Sequence, residues 1–305
     1  CSMTICKQRI FPTLPIPAAA LALLCAGLML VLALFPAMQV PALAYGGASA
    51  LIPTPAAYPN APLVAHAMGQ IDDRTGTNSL EAFQANYAKG YRLFECDLAM
   101  TSDGRVVLRH DWSAGVQEGV DPEHIPTAEE FQQIPIYGQY TPLTFLDLLG
   151  LLALYPEVYF ILDGKDTDAE SVTAQYTAMV EEAEAWGMLH LFDRLIVQLY
   201  APEMQDTVEA VHHFDHYMLT LYQTPFYGEA DLLAQYAAAC EERGIQDIVM
   251  WHFLYSADFI PLLEGSGIRV WLHTVNDASQ ANRYLSEGAW GIYSDRIDPA
   301  EVNRI

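Results

Sequence analysis

Positive charge is the scarcest commodity in this chain. Lys and Arg number 14 against 38 Asp and Glu, a formal net charge of −24. Nucleic-acid binders need a basic footprint to neutralise phosphates, so that class is excluded. Adhesion to anionic lipid by charge alone is excluded on the same ground. A phosphate-bearing substrate is repelled by such a surface unless a bound cation or a local basic group reverses the sign at the site. Cysteine is also sparse. Of five, Cys1, Cys6 and Cys25 lie near the N-terminus, which leaves Cys96 and Cys240 for the folded part. There is no CxxC and no Cys/His spacing that suits zinc, and two lone cysteines make no disulfide framework. They read as small buried apolar side chains. No GxGxxG follows the first predicted strand, which argues against a dinucleotide fold. No Gly/Pro/Ser-rich linker interrupts the chain after residue 60. One domain is therefore expected there, and α/β barrels of ~250 residues are commonly single domains.

The N-terminus is apolar. Lys7 and Arg9 precede an uncharged stretch from Ile10 to Ala50, and its centre, Ala18 to Phe35, is 18 residues of Ala, Leu, Met, Val, Gly, Cys and Phe. That length lies between the h-region of a cleavable signal, ~7–15 residues, and a membrane-spanning helix of ~20. Residues 1–44 are expected to be a signal or anchor segment. With no polar face, the segment does not suit a buried core helix. Basic residues before it and none after place the rest of the chain outside the cytoplasm. The protein is expected to be exported and held at the extracytoplasmic face of the membrane, or secreted if Ala42-Leu43-Ala44 is cut. Leu24 before Cys25 spoils a lipoprotein signal. Residues 45–62, rich in Pro, Ala and Gly, read as a spacer.

From Leu63 to the C-terminus short apolar runs alternate with amphipathic stretches. Strands are expected at 63–67, 92–99, 106–109, 158–162, 195–199, 217–221, 248–250, 269–274 and 290–293. Helices are expected at 79–89, 144–154, 168–186, 202–213, 229–243, 257–264 and 278–286. Pro202 supplies a helix start, and Gly90, Gly187, Gly244 and Gly288 supply stops. Near-continuous apolar strands alternating with helices indicate a parallel sheet covered by helices. About eight such repeats suit a closed (β/α)8 TIM barrel over residues 63–305 better than an open doubly wound sheet.

In a barrel, chemistry gathers at the C-terminal ends of strands. His66 closes the first strand, and Glu95 and Asp97, two apart on one face, close the second. His110 and Asp111 end the next run, Asp163-Gly164-Lys165 the one after, and Gln198, Trp271 and His273 mark later ends. Glu95, Asp97 and Asp163 offer three hard oxygen ligands, which select one Ca²⁺ or Mg²⁺ over zinc. Ordinary rim ion pairs are the bland alternative, but acids facing inward on an apolar strand are costly unless paired or metal-bound. His66 and His110 could face one another across the mouth as base and acid, which suits phosphodiester cleavage. The bland alternative is a satisfied rim histidine, as assumed for His124, His190, His212, His213 and His216. Lys165 would stabilise charge on phosphate oxygens, or simply pair with Asp163 or Asp111.

These residues, in this order, resemble the glycerophosphodiester phosphodiesterase family, TIM barrels related to phosphatidylinositol-specific phospholipases C. The matching runs are His66-Ala67-Met68-Gly69, Asn78-Ser79-Leu80-Glu81-Ala82-Phe83, Glu95-Cys96-Asp97, Thr101-Ser102-Asp103-Gly104 and Leu108-Arg109-His110-Asp111. They continue with Asp163-Gly164-Lys165, His273-Thr274-Val275-Asn276 and Gly291-Ile292-Tyr293-Ser294-Asp295. The resemblance implies His66 and His110 as the acid/base pair, Glu95, Asp97 and Asp163 as metal ligands, and Lys165 as a phosphate contact. Gln198, Trp271 and His273 complete the expected substrate-binding set.

Three departures stand out. Ala67 replaces the family's phosphate-gripping Arg, so one charge-assisted contact is missing. Asp163 replaces a Glu one methylene longer. His273 replaces a pocket-shaping Trp, with Trp271 expected on the same face two residues earlier. Both histidines are spared, so altered specificity is expected rather than a dead enzyme. The expected function is metal-dependent hydrolysis of a small phosphodiester, such as a deacylated phospholipid headgroup. A phospholipase C or D-like enzyme on intact lipid is the first alternative, although the stretch 112–140 offers little basic or exposed aromatic surface. A non-catalytic phospho-ligand-binding barrel is the second. The membrane is a partner only through the N-terminal segment, and nothing points to a protein partner.

Overall fold

The computed structural model describes residues 61–112, 115 and 123–303. The signal or anchor segment, and most of the spacer, lie outside the described residues. Among the described residues no helix is long and apolar enough to cross a membrane.

Eight parallel strands form the wall of a barrel: β1 (Leu63–Ala65), β2 (Leu93–Met100), β4 (Tyr159–Gly164), β5 (Leu195–Leu199), β6 (His216–Thr220), β7 (Asp247–Trp251), β8 (Arg269–His273) and β9 (Gly291–Ser294). β1 pairs with both β9 and β2, which closes the ring. The expected (β/α)8 barrel is therefore what the chain builds. One expected strand plays a different part. β3 (Val106–Leu108) runs antiparallel to β2 as a hairpin arm, with Met100 opposite Val106. The turn Thr101-Ser102-Asp103-Gly104 is too short for the crossover that a parallel neighbour requires.

Local signals set the helices. The Ser79 hydroxyl caps α1 (Leu80–Lys89), and Gly90, at φ 111, ends it in the left-handed region. Here φ is positive, and Gly carries no Cβ to object. A small helix, α2 (Ala128–Gln132), was not expected, yet its start carries a capping box between Thr127 and Glu130. α3 (Phe145–Leu154) has the same device in Thr144 and Asp147. Next come α4 (Ala169–Ala185), α5 (Met204–Glu209), α6 (Ala230–Arg243), α7 (Phe259–Leu263) and α8 (Ala278–Ser286). α5 is shorter than the 202–213 expected. The chain leaves the helix at Ala210, ahead of the polar turn that leads into β6.

Two apolar layers result. Outward-facing strand residues such as Phe94, Cys96, Leu98, Phe160 and Leu162 join the helices in one large core. Inward-facing residues, Val64, Leu93, Tyr159, Ile161, Ile196, Met218, Val249, Trp271 and Tyr293, fill the barrel itself. This period-two division is the ordinary strand alternation. Cys96 and Cys240 are both free and buried, as expected.

Candidate active site

Strand alternation and register bring the acids together. On β2, Leu93 packs inside the barrel and Phe94, Cys96 and Leu98 outside, so Glu95 and Asp97 share the inner face. Asp97 is the direct neighbour of Asp163 on β4. One carboxylate oxygen from each of Glu95, Asp97 and Asp163 lies within 4.8 Å of the others. All three side chains are buried.

Each acid is held by neighbours. Asn78, in the left-handed region at φ 49, donates Nδ2–H to Asp97 Oδ2 at 2.9 Å and accepts from the Asp97 amide at 3.0 Å. The Tyr200 hydroxyl donates to Asp163 Oδ1 at 2.6 Å. The Ala67 amide donates to Glu95 Oε2 at 2.6 Å. Lys165 bridges the two aspartates, with Nζ 2.6 Å from Asp97 Oδ1 and also bonded to Asp163. Burial opposes the Lys165 charge, but Asp163, Asp97 and Glu95 hold its pKa above the ordinary value. Burial also opposes ionisation of Asp97, and Lys165, His66 and the Asn78 hydrogen bond outweigh it and lower its pKa. Glu95 goes the other way, raised by burial and then by the Asp97 charge.

The cluster fits a hard divalent cation. Glu95 Oε1 is buried and has no hydrogen-bond partner among the described residues. Leaving such an atom unsatisfied is expensive, whereas a cation would satisfy it. The donors are all carboxylate oxygens, with no sulfur or imidazole among them, the set that Mg²⁺ and Ca²⁺ prefer.

His66 sits where β1 gives way to a tight turn. Ala67 and Met68 adopt positive φ, 45 and 70, and the Asn86 amide holds the turn by donating to the carbonyls of Met68 and Gln70. The turn aims the Ala67 amide at Glu95 and sets the imidazole beside it, with Nε2 4.0 Å from Glu95 Oε2. The opposite ring nitrogen is 2.7 Å from Asp295 Oδ1. Asn276 fixes that aspartate, donating to Oδ2 at 2.6 Å and accepting its backbone amide at 2.9 Å. Burial opposes a charge on His66, but the Asp295 hydrogen bond and the charges of Glu95, Asp295 and Asp97 raise its pKa to about 9.

His110 follows β3. The Arg109 amide donates to the Asp97 carbonyl at 3.0 Å, so the hairpin returns the chain to the level of the acids. The imidazole itself is exposed and pairs with Asp111 Oδ2 at 2.5 Å.

The expected substrate residues separate. Gln198 is buried in the barrel, where its Oε1 accepts from the Tyr293 hydroxyl at 3.2 Å. Trp271 is a correction. It is fully buried in the barrel core, and its indole N–H donates at 2.6 Å to Asp247, the first residue of β7. The ring therefore points toward the far end of the barrel and cannot stand in for the family's tryptophan at position 273. Trp251 and Tyr222 pack on His273 at centroid distances of 5.0 and 4.7 Å. His273 also meets His66 edge-on at 4.6 Å. Burial, and then the charges of His66 and Lys165, depress its pKa, so it stays neutral.

Sequence reasoning gave no role to Asn78, Tyr200, Tyr222, Trp251 or Asp295. Tyr200 directly follows β5, and Trp251 is the last residue of β7, one beyond the strand expected there. Reading one position past each apolar run finds both. The left-handed turn that brings Ala67 to Glu95 leaves no such mark.

The comparisons with known proteins agree with this geometry. The model of the glycerophosphoryl diester phosphodiesterase family matches residues 55–299. Among solved structures, a phosphodiesterase of Oleispira antarctica, in complex with the product sn-glycerol-3-phosphate, superposes with a TM-score of 0.60 at 16% identity, covering 76% of this chain and 92% of that one. A glycerophosphodiester phosphodiesterase of Parabacteroides distasonis gives 0.60 at 15%, covering 77% and 93%. One from Agrobacterium tumefaciens gives 0.58 at 14%, covering 79% and 99%. At such identities the structures speak for the fold, while the family match spans both the barrel and its acidic mouth. The chain belongs to the glycerophosphoryl diester phosphodiesterase family.

Proposed function

We propose that this protein hydrolyses glycerophosphodiesters or related phospholipid headgroup diesters, with a divalent cation held by Glu95, Asp97 and Asp163 and with His66 and His110 as the acid/base pair. The observation that carries this reading is the convergence of three buried carboxylates on one point, with an unpartnered Glu95 oxygen, directly beside an imidazole oriented by Asp295. A cation held by Glu95, Asp97 and Asp163 would supply positive charge for the phosphoryl oxygens, which the surface charge of this protein would otherwise repel.

The residues divide the proton work. His66 in its charged form directs Nδ1–H at Asp295, which leaves the proton on Nε2 for a departing alkoxide. His66 is then the general acid and His110 the general base. His110 takes the proton from the attacking oxygen, either water or a neighbouring hydroxyl of the substrate. A new P–O bond forms, the P–O bond to the leaving alcohol breaks, and that alcohol departs with the His66 proton. Lys165, freed from one of its carboxylates, reaches the phosphate oxygens. With Ala67 in place of an arginine, that contact falls to Lys165, beside the charge that a bound cation would supply.

Release of alcohol from a panel of glycerophosphodiesters tests the reading. Activity is expected to vanish in EDTA and return with Mg²⁺ or Ca²⁺. His66→Ala and His110→Ala should each lower turnover by at least ~10²-fold, the scale of a lost general acid or base. Full activity in either variant overturns its assignment. Phosphorus NMR of the products distinguishes a cyclic phosphate from direct hydrolysis. Export to the extracytoplasmic face is part of the proposal and rests on the uncharged stretch after Lys7 and Arg9. Protease digestion of intact cells that leaves the barrel untouched would refute it.

A further inference from the structure

Aromatic rings line the barrel mouth on the side of His66 away from the acids. His273 packs on His66, Tyr222 and Trp251 pack on His273, and Tyr222 and Trp251 meet at 4.8 Å. Trp251 runs nearly parallel to Phe253, 15° between planes and 6.0 Å between centroids. The row begins at the imidazole beside the metal cluster and ends in solvent, where Phe253 is 68% exposed. Phe253 lies on a short turn, His252–Leu254, with no buried residue, and packs on Trp251 and His252 while most of its ring faces solvent.

Beyond His66 the row is uncharged. Among the described residues, Arg side chains lie over Tyr137, Tyr87, Trp112, Trp290 and Tyr284, and none of these rings belongs to the row. Trp251 is packed by Tyr222, His273 and Phe253, and the exposed side of Phe253, at the outer end of the row, is open to a ligand. Aromatic faces attract cations and offer polyol hydroxyls no hydrogen-bond partner. A net charge of −24 draws cationic groups toward the mouth and repels anionic ones.

We propose that Tyr222, Trp251 and Phe253 form the subsite for the alcohol half of the substrate, and that this half carries an alkylammonium group. The preferred substrates are then zwitterionic glycerophosphodiesters rather than those with polyol or anionic headgroups. The inference rests on the phosphodiesterase reading. Phosphate held at the acids beside His66 places its ester substituent along the row, with the ammonium on the outer rings, away from Lys165.

The test compares kcat/KM of the full chain, loaded with its cation, on glycerophosphocholine, on glycerophosphoglycerol and on a neutral isostere whose quaternary nitrogen is replaced by carbon. A preference of ~10-fold for the ammonium diester over the isostere is expected, the order of a partly desolvated cation–π contact. That ratio should fall toward one in Trp251→Leu and in Phe253→Ala; Phe253 is exposed, so its replacement spares the core. Equal rates on ammonium and isostere, or a ratio that survives both substitutions, overturn the proposal and leave apolar contact alone. A readout without turnover separates the two readings. Tetramethylammonium should shift the Trp251 indole signal in NMR, with less effect in Phe253→Ala. A shift with no hydrolysis of any diester sinks the phosphodiesterase reading and keeps the cation subsite, whereas hydrolysis with no shift does the reverse.

Discussion

Replacing Asp295 with Asn isolates the orientation of His66 from everything the metal cluster does. In the native site the two Asp295 oxygens accept from two donors, the His66 ring nitrogen at 2.7 Å and Asn276 Nδ2 at 2.6 Å. An asparagine has one acceptor oxygen, and its NH2 must then face one of those donors. If the amide turns its oxygen to Asn276, His66 Nδ1 meets a donor and must give up its proton, which leaves a neutral imidazole, a far weaker acid, at the substrate. If it turns the other way, Asn276 loses its partner and the loop that carries residue 295 loosens. A hydrogen bond to a charged group contributes about 1.5–3 kcal/mol, and 1.36 kcal/mol is a factor of ten in rate. The expected loss in kcat is therefore about tenfold to about a hundredfold. Steady-state kinetics at saturating cation measures it, with metal affinity by calorimetry as the control. Asp295 lies outside the carboxylate triad, so metal affinity should hold steady while kcat falls. A variant within threefold of the parent in kcat (on the order of 0.7 kcal/mol), or one whose deficit lies wholly in metal binding, would refute the orienting role.

Three further outcomes are expected. Asp163→Asn should weaken Mg²⁺ or Ca²⁺ binding, and Tyr200→Phe, which removes the hydroxyl on Asp163 Oδ1, should cost ~10–100-fold in affinity, as outer-sphere partners of a ligand do; unchanged calorimetric affinity removes Asp163 from the ligand set. Without metal, His66 binds its proton more tightly folded than unfolded, about 9 against 6.5. Its contribution to stability is then complete below pH ~6.5 and is lost as pH rises through about 9; urea midpoints in EDTA should fall over that window, less so in His66→Gln, and a divalent cation should shrink the fall by neutralising Glu95 and Asp97. Gly291→Ala would drive a methyl into the Trp271 indole, an overpacking cost of ~1–3 kcal/mol, and a melting temperature equal to the parent's would show that the indole has room to move.

The site contains its own provisional counter-ion. Lys165 lies between Asp97 and Asp163, and its charge helps hold the Asp97 pKa down before any metal arrives. Glu95 accepts from the Ala67 amide on one oxygen, and its other oxygen has no partner among the described residues; burial, and then the Asp97 charge, raise its pKa. The turn that replaces the family arginine with Ala67 thus still serves the cluster, through a backbone amide instead of a side chain.

Much of this was written in the sequence. The alternation of apolar runs with capped helices specifies a parallel barrel, because strands buried on both faces read as continuous apolar stretches and crossover helices carry their own start and stop signals. An acid at the end of such a run is visible for the same reason: Glu95, Asp97 and Asp163 interrupt apolar strands where a charge is costly. Which way a long side chain leans is decided elsewhere. Trp271 occupies the same strand face as His273, but Asp247 at the far end captures its indole, and no local pattern records that capture. The His66–Asp295 bond spans 229 residues and exists only because β9 closes the ring against β1. The aromatic row, gathered from the ends of β6, β7 and β8, likewise appears only when the barrel brings successive strand ends side by side.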